Sequence, residues 1–197
     1  MLIPPSPAAE RNKTPLLQAL RPYLVSGTRV LEIGSGTAVH AAYFCHELEG
    51  LHWQMSNPSV NNANARQRAR EHDSLLEPID LDLLTGPWPD AEYDCVFSAN
   101  VLHIAPEAAT AALFAGAAGV CHPQTGRVIL YGPWRYADKP LEPGNVQFDA
   151  TLRAQNPESG LRLFEDADAA ARDAGFRLEQ DLLMPANNHL LVFNRAA

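Results

Sequence analysis

The stretch Arg29-Val-Leu-Glu-Ile-Gly-Ser-Gly-Thr-Ala38 decides how this chain folds. Its apolar residues from Val30 to Ile33 predict a buried strand, and the glycines that follow predict a tight turn into a helix. Glycine lets the backbone approach a ligand closely, and the first turn of a helix offers unpaired N–H groups. A strand, a glycine turn and a helix in this order therefore predict a cradle for a nucleotide-like ligand.

An acidic residue, Glu32, lies just before this turn. A carboxylate at this place would repel a pyrophosphate and attract an ammonium group. The stretch therefore favours S-adenosylmethionine (SAM), which carries an ammonium group and no phosphate, over a dinucleotide.

Composition narrows the classes of function. The 197 residues, 46% of them hydrophobic and 19% charged, fit one domain over residues 1–197. The net charge of −8 and the lack of a basic run argue against a nucleic-acid partner, which would require a basic face. The three cysteines form no C-x-x-C pair, and no signal peptide or run of about 18 apolar residues is present. We therefore expect a cytoplasmic protein with reduced thiols and no membrane partner.

Helix-like and strand-like segments alternate along the chain. Residues 1–10 are expected to be extended; helices are predicted over 11–25, 38–48, 60–72, 106–120 and 164–174, and strands over 30–33, 51–56, 78–81, 93–99 and 127–131. Two later apolar runs, 176–183 and 190–194, predict a hairpin at the sheet edge. The expected class is α/β: a Rossmann-like, doubly wound, mostly parallel sheet with helices on both faces and a C-terminal antiparallel hairpin. Residues 133–163, rich in Pro, Gly and Asn, predict an insertion or lid over the site.

Ligands of such sheets bind at the carboxyl ends of the strands. The polar or small residues that follow the predicted strands should therefore meet in space although they are distant in sequence. These residues are Gly34, Ser35, Gly36, Ser56, Asn57, Asp80, Asp82, Ser98, Asn100, His103, Tyr131, Gly132 and Trp134.

The chain resembles the class I SAM-dependent methyltransferases at two of these places. Leu31-Glu-Ile-Gly-Ser-Gly36 is similar to their first motif, and Asp94-Cys-Val-Phe-Ser-Ala-Asn-Val-Leu-His-Ile104 to their fourth-strand motif. Further segments resemble one small methyltransferase-like subgroup, long catalogued only as a domain of unknown function, over essentially the whole chain. They are Ser6-Pro-Ala-Ala-Glu-Arg-Asn-Lys13, Asn100-Val-Leu-His-Ile-Ala-Pro106, Leu130-Tyr-Gly-Pro133, Phe148-Asp149 and Met184-Pro-Ala-Asn-Asn188.

This resemblance implies a set of cofactor-binding residues. The turn against the methionine part of SAM would be Gly34, Ser35 and Gly36, with Glu32 beneath it. Asn57 would bind the ribose, and Asp82 or Asp80 would lie near the adenine. Asn100 would cap the site at the fourth strand, and segment 1–25 would cover the cofactor with Arg11 and Asn12.

Asn57 departs from the family pattern, which has an acid at this position. An amide can bond one ribose hydroxyl, but it lacks two ionised acceptor oxygens, and charge-assisted hydrogen bonds are roughly twice as strong as neutral ones. SAM affinity is then reduced, or the cofactor is altered or lost, and Asn57→Asp is expected to bind SAM more tightly. Ala38, in place of the last glycine of the turn, is expected to be a mild change.

The candidate residues for the acceptor also have structural alternatives. His103 is either a general base, because a neutral imidazole near pH 7 suits proton removal, or a half-buried histidine bonded to the backbone. Tyr131 is a second catalytic candidate or a packed core residue. The candidate substrate-binding residues are Trp134, Arg153, Arg162, Asn187 and Asn188. As structural alternatives, the two arginines are surface charges and the two asparagines form a hairpin turn.

Three functions remain open at this point. The first is SAM-dependent methyl transfer to an O, N or S atom of a small-molecule substrate in biosynthesis. The second is a non-methylating enzyme on the same fold, suggested by Asn57, and the third is a non-catalytic binding subunit. No metal is expected, because the sequence has no H-E-x-x-H motif or cysteine cluster. A homodimer is left open as the assembly.

Overall fold

Strands and helices alternate through most of the chain in the computed structural model, which describes residues 3–58 and 62–196. The helices are α1 (Pro7–Leu20), α2 (Val39–Glu47), α3 (Ala63–Glu71), α4 (Ala109–Val120), α5 (Pro143–Gln155) and α6 (Phe164–Asp173). The strands are β1 (Arg29–Ile33), β2 (His52–Asn57), β3 (Leu75–Asp80), β4 (Cys95–Ala99), β5 (Arg127–Arg135), β6 (Arg162–Leu163), β7 (Phe176–Met184) and β8 (Asn188–Arg195). Of the helix predicted over 60–72, residues 60 and 61 lie outside the described residues.

The strands form one sheet in the order β3-β2-β1-β4-β5-β8-β7, and β6 pairs with the end of β5. The neighbours from β3 to β5 are parallel. Strand β8 is antiparallel to both β5 and β7. The predicted fold class is therefore confirmed, including the C-terminal hairpin at the edge of the sheet.

The sheet is covered on both faces, as the apolar strands require. Successive side chains of a strand point to opposite faces, so Val30 and Leu31 of β1 enter two different cores. The core that contains Val30 packs against α1 and α2, with Phe44 and Trp53 fully buried. The core that contains Leu31 packs against α4 and α6. This two-sided burial leaves the carboxyl ends of the strands as the place for polar groups.

Two segments differ from their predictions. Helix α1 begins at Pro7, although the early prolines predicted an extended chain, because proline at the first helical position has the required φ and needs no N–H partner. The segment 133–163 is structured: it completes β5 and contains α5 and β6. Between β7 and β8 the chain makes a short 3-10 turn, Pro185–Asn187.

Candidate functional site

A cleft of about 590 Å³ opens at the carboxyl ends of β1, β2 and β4 and is covered on one side by the start of α1. We call it the glycine-turn cleft. Its walls include the β1–α2 turn, Asn57, residues 81–84 and the segment from the end of β4 to the start of α4. The predicted cofactor residues that line it are Gly34, Ser35, Gly36, Asn57, Asp82 and Asn100.

The turn in this cleft needs its glycines for two different reasons. Gly34 has φ +72°, and a Cβ added there would clash with the Val101 side chain. Gly36 has φ +54°, but nothing lies within 4 Å of an added Cβ. Gly34 is therefore required by both conformation and space, and Gly36 by conformation alone. Ala38 also has a positive φ, 57°, so a residue expected to be a mild change carries backbone strain of about 1 kcal/mol.

Asn57 holds the glycine turn through a chain of amides, here named the amide relay (Asn57, Asn62 and Asp80). The Gly36 N–H donates to Asn57 Oδ1 at 2.7 Å. Asn57 Nδ2 donates to Asn62 Oδ1 at 3.3 Å, and Asn62 Nδ2 donates to Asp80 Oδ1 at 2.5 Å. All three bonds run in one direction and end at an exposed carboxylate. Position 57, where the resemblance expects an acid, thus holds an amide that is linked through Asn62 to a carboxylate at the end of β3. Sequence reasoning did not single out Asn62.

The two predicted adenine-side acids differ in position. Asp82 lines the cleft, and its Oδ1 accepts the Leu84 N–H at 2.8 Å and the Thr85 N–H at 3.1 Å. These backbone bonds lower the pKa of Asp82 and shape the turn that follows β3. Asp80 belongs to the relay and does not line the cleft. Of the pair, only Asp82 is placed to contact a ligand.

Glu32 lies beneath the glycine turn, only 2% exposed, and does not line the cleft. Its Oε2 accepts the Trp53 indole N–H at 3.0 Å. Burial raises the pKa of Glu32 to about 7. The structure therefore does not support direct contact between this carboxylate and the ammonium group of a ligand, the idea that first favoured SAM.

Asn100 follows β4 in a left-handed backbone conformation at the wall of the cleft. Its φ is +60°, and its N–H donates to the Tyr131 carbonyl oxygen at 2.8 Å. Asparagine is one of the few residues that adopt this left-handed conformation readily.

The start of α1 covers the cleft, and a polar network holds the helix in place. Ser6, Ala8 and Ala9 line the cleft, whereas Arg11 is exposed and outside it. Asn12 Oδ1 lies 2.7 Å from His40 Nε2. His40 lines the cleft from the first turn of α2, and burial lowers its pKa to about 4. Sequence reasoning missed His40, although its position on the first turn after the glycines was a usable signal.

Tyr131 and Asn188 lie near this network. The Tyr131 hydroxyl lies near the side chains of Asn12 and Asn188, and burial raises its pKa. Asn188 Nδ2 donates to the Pro185 carbonyl oxygen at 3.1 Å. Tyr131 lies in the core and does not line the glycine-turn cleft. This environment favours the packing alternative over a catalytic role.

His103 faces a gap of about 10 Å³, which has room for one water molecule. Its ring lies 5.4 Å from that of Phe148 on α5. Burial, with a smaller contribution from Arg162, lowers the pKa of His103 to about 4, so the ring is neutral at pH 7. Val101 lines both this gap and the glycine-turn cleft, and the role of His103 as a base stays a prediction.

The two predicted substrate arginines are engaged elsewhere. Arg162 Nε donates to the Leu102 carbonyl oxygen at 2.9 Å, and its Nη2 donates to the Glu158 carbonyl oxygen at 2.8 Å and to that of Ala105. Its fork therefore ties backbone segments together and does not support the predicted grip on a substrate carboxylate. Arg153 Nε donates to Asp149 Oδ2 on the same helix at 2.9 Å.

A second cleft, of about 410 Å³, lies at the carboxyl end of β5, beside the turn between β7 and β8. We call it the hairpin cleft. The predicted substrate residues Trp134 and Asn187 line it, together with part of the segment 133–163. Sequence reasoning missed three further lining residues, Tyr136, Asp181 and His189. They come from the segment after β5, from β7 and from β8, and share no sequence motif.

The described residues 3–58 and 62–196 hold no group of three or more His, Cys, Asp or Glu side chains that could bind a metal ion. Within the same residues, no helix is long and apolar enough to cross a membrane. The three cysteines, Cys45, Cys95 and Cys121, are free and buried.

One known protein family matches this chain over most of its length. The family model described as "Protein of unknown function (DUF938)" matches residues 4–195. The chain belongs to the DUF938 family. The resemblance to a small methyltransferase-like subgroup of unknown function is thereby confirmed.

Solved structures similar to this DUF938 chain include methyltransferases. SibL, an S-adenosylmethionine-dependent methyltransferase, is 22% identical with a TM-score of 0.79, over 96% of this chain and 56% of SibL. CalO1, a methyltransferase in calicheamicin biosynthesis solved with SAH, is 16% identical with a TM-score of 0.79, over 96% of this chain and 54% of CalO1. Human N-acetylserotonin methyltransferase in complex with SAM is 17% identical with a TM-score of 0.75, over 94% of this chain and 52% of that enzyme. This chain therefore spans about half the length of these structures, and the likeness shows a shared fold.

Proposed function

We propose that this DUF938 protein catalyses methyl transfer from SAM to a small-molecule acceptor. The observation that carries the proposal is the chemistry of the glycine-turn cleft. Among the described lining residues there is no Lys or Arg, and the only carboxylate is Asp82. A cleft without cations suits a ligand that has no phosphate and carries positive charge, because a dinucleotide would leave its phosphates without side-chain partners.

The residues present fit SAM in size and shape. A cleft of about 590 Å³ lies within the range of small-ligand sites, and the Gly34 cradle is one that a Cβ would close. Residues Gly34 to Gly36 would hold the ligand through backbone N–H groups, and Asp82 and Asn100 would form the walls. Bound SAM supplies an already activated methyl group. The task of the chain is then orientation and exclusion of water, in which the start of α1 takes part.

Ligand-dependent thermal unfolding tests this proposal. SAM and S-adenosylhomocysteine (SAH) should each raise the Tm, because a ligand at 100 times its Kd adds about 2.7 kcal/mol to the free energy of unfolding. NADH is the matched control, since it shares the adenosine but carries a pyrophosphate, and it should leave the Tm unchanged. A Tm that responds to NADH, or to neither SAM nor SAH, would refute the proposal.

The second candidate is a non-methylating reaction in the same cleft. The amide relay favours it, because an amide with both ends engaged stands where the resemblance expects a ribose-binding acid. Isothermal titration together with transfer of a labelled methyl group to a panel of small acceptors separates the two. Binding of SAM with label transfer supports the first candidate, and binding without transfer to any acceptor supports the second.

A further inference from the structure

The hairpin cleft contains a group of titratable side chains that the glycine-turn cleft does not use. His189 Nδ1 lies 2.6 Å from Asp181 Oδ1, and the Tyr136 hydroxyl donates to Asp181 Oδ2 at 2.7 Å. The same hydroxyl oxygen lies 2.9 Å from His189 Nδ1. These three residues come from β7, β8 and the segment after β5, and all of them line the cleft.

The contacts define the tautomer of His189. A carboxylate oxygen only accepts, so Nδ1, which lies beside Asp181 Oδ1, must carry the hydrogen. In a neutral imidazole the other nitrogen, Nε2, then keeps a free lone pair. No hydrogen bond to His189 Nε2 is found within the described part of the chain. A carboxylate behind Nδ1 also stabilises the imidazolium that forms when Nε2 takes up a proton.

The other charged groups around His189 have fixed positions. The ammonium group of Lys139 lies 4.6 Å from the centre of the Tyr136 ring and lines the cleft. Glu142 is an exposed residue of the cleft wall. Glu165 of α6 accepts the Ala137 N–H at 3.2 Å. Lys139 is thus the one cation among the described lining residues, and it is placed to balance a negative charge that develops in the cleft.

The walls select the kind of ligand. Trp134 contributes an aromatic side chain, and Leu141 and Leu183 are apolar, Leu183 being 73% exposed, while the ring of Tyr136 packs against Phe164 and Lys139. A large apolar side chain this exposed at a cleft wall suits a ligand that would cover it. Aromatic and apolar walls with one base favour a flat ring that carries a hydroxyl group.

We propose that the hairpin cleft binds a small phenol and that His189 Nε2 accepts the proton of its hydroxyl group. The O–H bond breaks, its electron pair stays on the phenolate oxygen, and the proton forms the N–H bond of an imidazolium beside Asp181. A phenol, with a pKa near 10 as in tyrosine, is within reach of a histidine base.

This inference goes beyond the proposed function, because it concerns a phenol held in the hairpin cleft and not the methyl donor. Trp134 lines the hairpin cleft and the gap at His103, and Val101 lines that gap and the glycine-turn cleft, while no described residue lines both clefts. His103 and His189 thus have different surroundings, since the first faces room for one water and the second faces a cleft of about 410 Å³.

Titration with 4-nitrophenol tests the inference without SAM. The probe absorbs visible light as its phenolate, so proton transfer in the cleft should give a saturable phenolate signal one pH unit below the pKa of the free probe. His189→Gln should lower this signal at least tenfold, and Asp181→Asn about as much, because the imidazolium loses its carboxylate. His52→Gln, at an exposed position on the far end of β2, is the matched control and should behave as the wild type.

Each outcome decides the inference. Circular dichroism shows which variants are folded. One folded variant of the two, His189→Gln or Asp181→Asn, is enough for the test. A wild-type protein with no saturable signal, or a folded His189→Gln variant with the full signal, overturns the inference. Since the titration contains no SAM, such a failure leaves the thermal test of the proposed function intact. Conversely, a protein that ignores SAM and SAH but shows the signal refutes only the proposed function.

Discussion

The glycine-turn cleft and the hairpin cleft both lie at the carboxyl ends of parallel strands but are built in different ways. The first is shaped by a backbone turn: Gly34 and Gly36 have positive φ, and the N–H of Gly36 is held by Asn57. The second is made of side chains that meet from β5, β7 and β8. A site made of backbone leaves a short motif in the sequence, whereas a site made of side chains from distant strands leaves none.

The two clefts should therefore respond differently to mutation. The residues beneath and around the glycine turn are buried, and several are conformationally strained, so their replacement affects folding as well as binding. The polar contacts of the hairpin cleft are partly exposed, with 18% of the His189 side chain and 26% of the Asp181 side chain accessible. Contacts of this kind contribute little to stability, so mutations there should cost less stability than mutations at the glycine turn.

The largest effect is expected for Gly34→Ala. A left-handed alanine costs about 1–2 kcal/mol, and an extra methyl group against Val101 costs about 1–3 kcal/mol more. Gly36→Ala is the matched control, because it has the same kind of φ and free space around the added methyl group. Urea unfolding should show that Gly34→Ala loses roughly twice as much stability as Gly36→Ala. Equal losses would mean that Val101 moves aside and that the cradle is not rigid.

The next effect concerns pH and Glu32. Because burial raises its pKa from 4.5 to about 7, the folded state holds this proton more tightly than the unfolded state between these two values. The stability from the protonated carboxyl is complete below pH 4.5 and is lost as the pH rises through about 7. The loss amounts to up to about 3 kcal/mol, at 1.36 kcal/mol for each pKa unit.

Glu32→Gln isolates this contribution, since glutamine still offers an oxygen to the Trp53 indole but does not titrate. The free energy of unfolding of the wild type minus that of the variant should fall between pH 4.5 and about 8. The histidines with lowered pKa, His40 and His103, are present in both proteins and cancel in the difference. Glu92→Gln, at an exposed position, is the control substitution. A difference that rises with pH would place a cation near Glu32 and contradict its assigned environment.

These two regions also show what sequence reasoning can reach. The fold was predictable because β1 and β4 are buried on both faces, which makes them continuous apolar runs with a turn signal at their ends. Asn57 and Asp82 were found because they follow strands. Asn62 and His189 were not found, since each acts through a partner that only the folded chain brings close. Glu32 lies beneath the turn, as the resemblance implied, and alternation along β1 points its side chain toward Trp53 in a core rather than into the cleft.

The amide relay gives an intermediate effect and revises the expectation for Asn57→Asp. With a carboxylate at position 57, Asn62 cannot offer its Nδ2 both to that new carboxylate and to Asp80, so one bond of the relay is lost. We expect a cost of about 1–2 kcal/mol from the unpaired buried group, which offsets any gain in SAM affinity.

The double substitution Asn57→Asp with Asp80→Asn reverses the relay. Asn62 then donates to position 57 and accepts from the amide at position 80, so the stability should return to within about 0.5 kcal/mol of the wild type. An ionised oxygen would now stand at the end of β2, and SAH should bind more tightly by about 1 kcal/mol, or roughly fivefold. The double-mutant cycle is measured by urea unfolding and isothermal titration with SAH. Additive losses in the two single variants would show that positions 57 and 80 are not linked through Asn62.

The smallest effect is expected for Tyr136→Phe in the hairpin cleft. The substitution removes one hydrogen bond to Asp181 and keeps the ring that faces Lys139 and Phe164. A net loss of about 0.5–1 kcal/mol in unfolding free energy is expected, since the freed Asp181 oxygen can be hydrated at a partly exposed site. The affinity for SAH should not change, because no hydrogen bond from Tyr136 reaches a described residue of the glycine-turn cleft. A loss of SAH affinity would show that the two clefts are coupled in binding through Trp134 and Val101. The clefts would then differ in how they are built but would not bind their ligands independently.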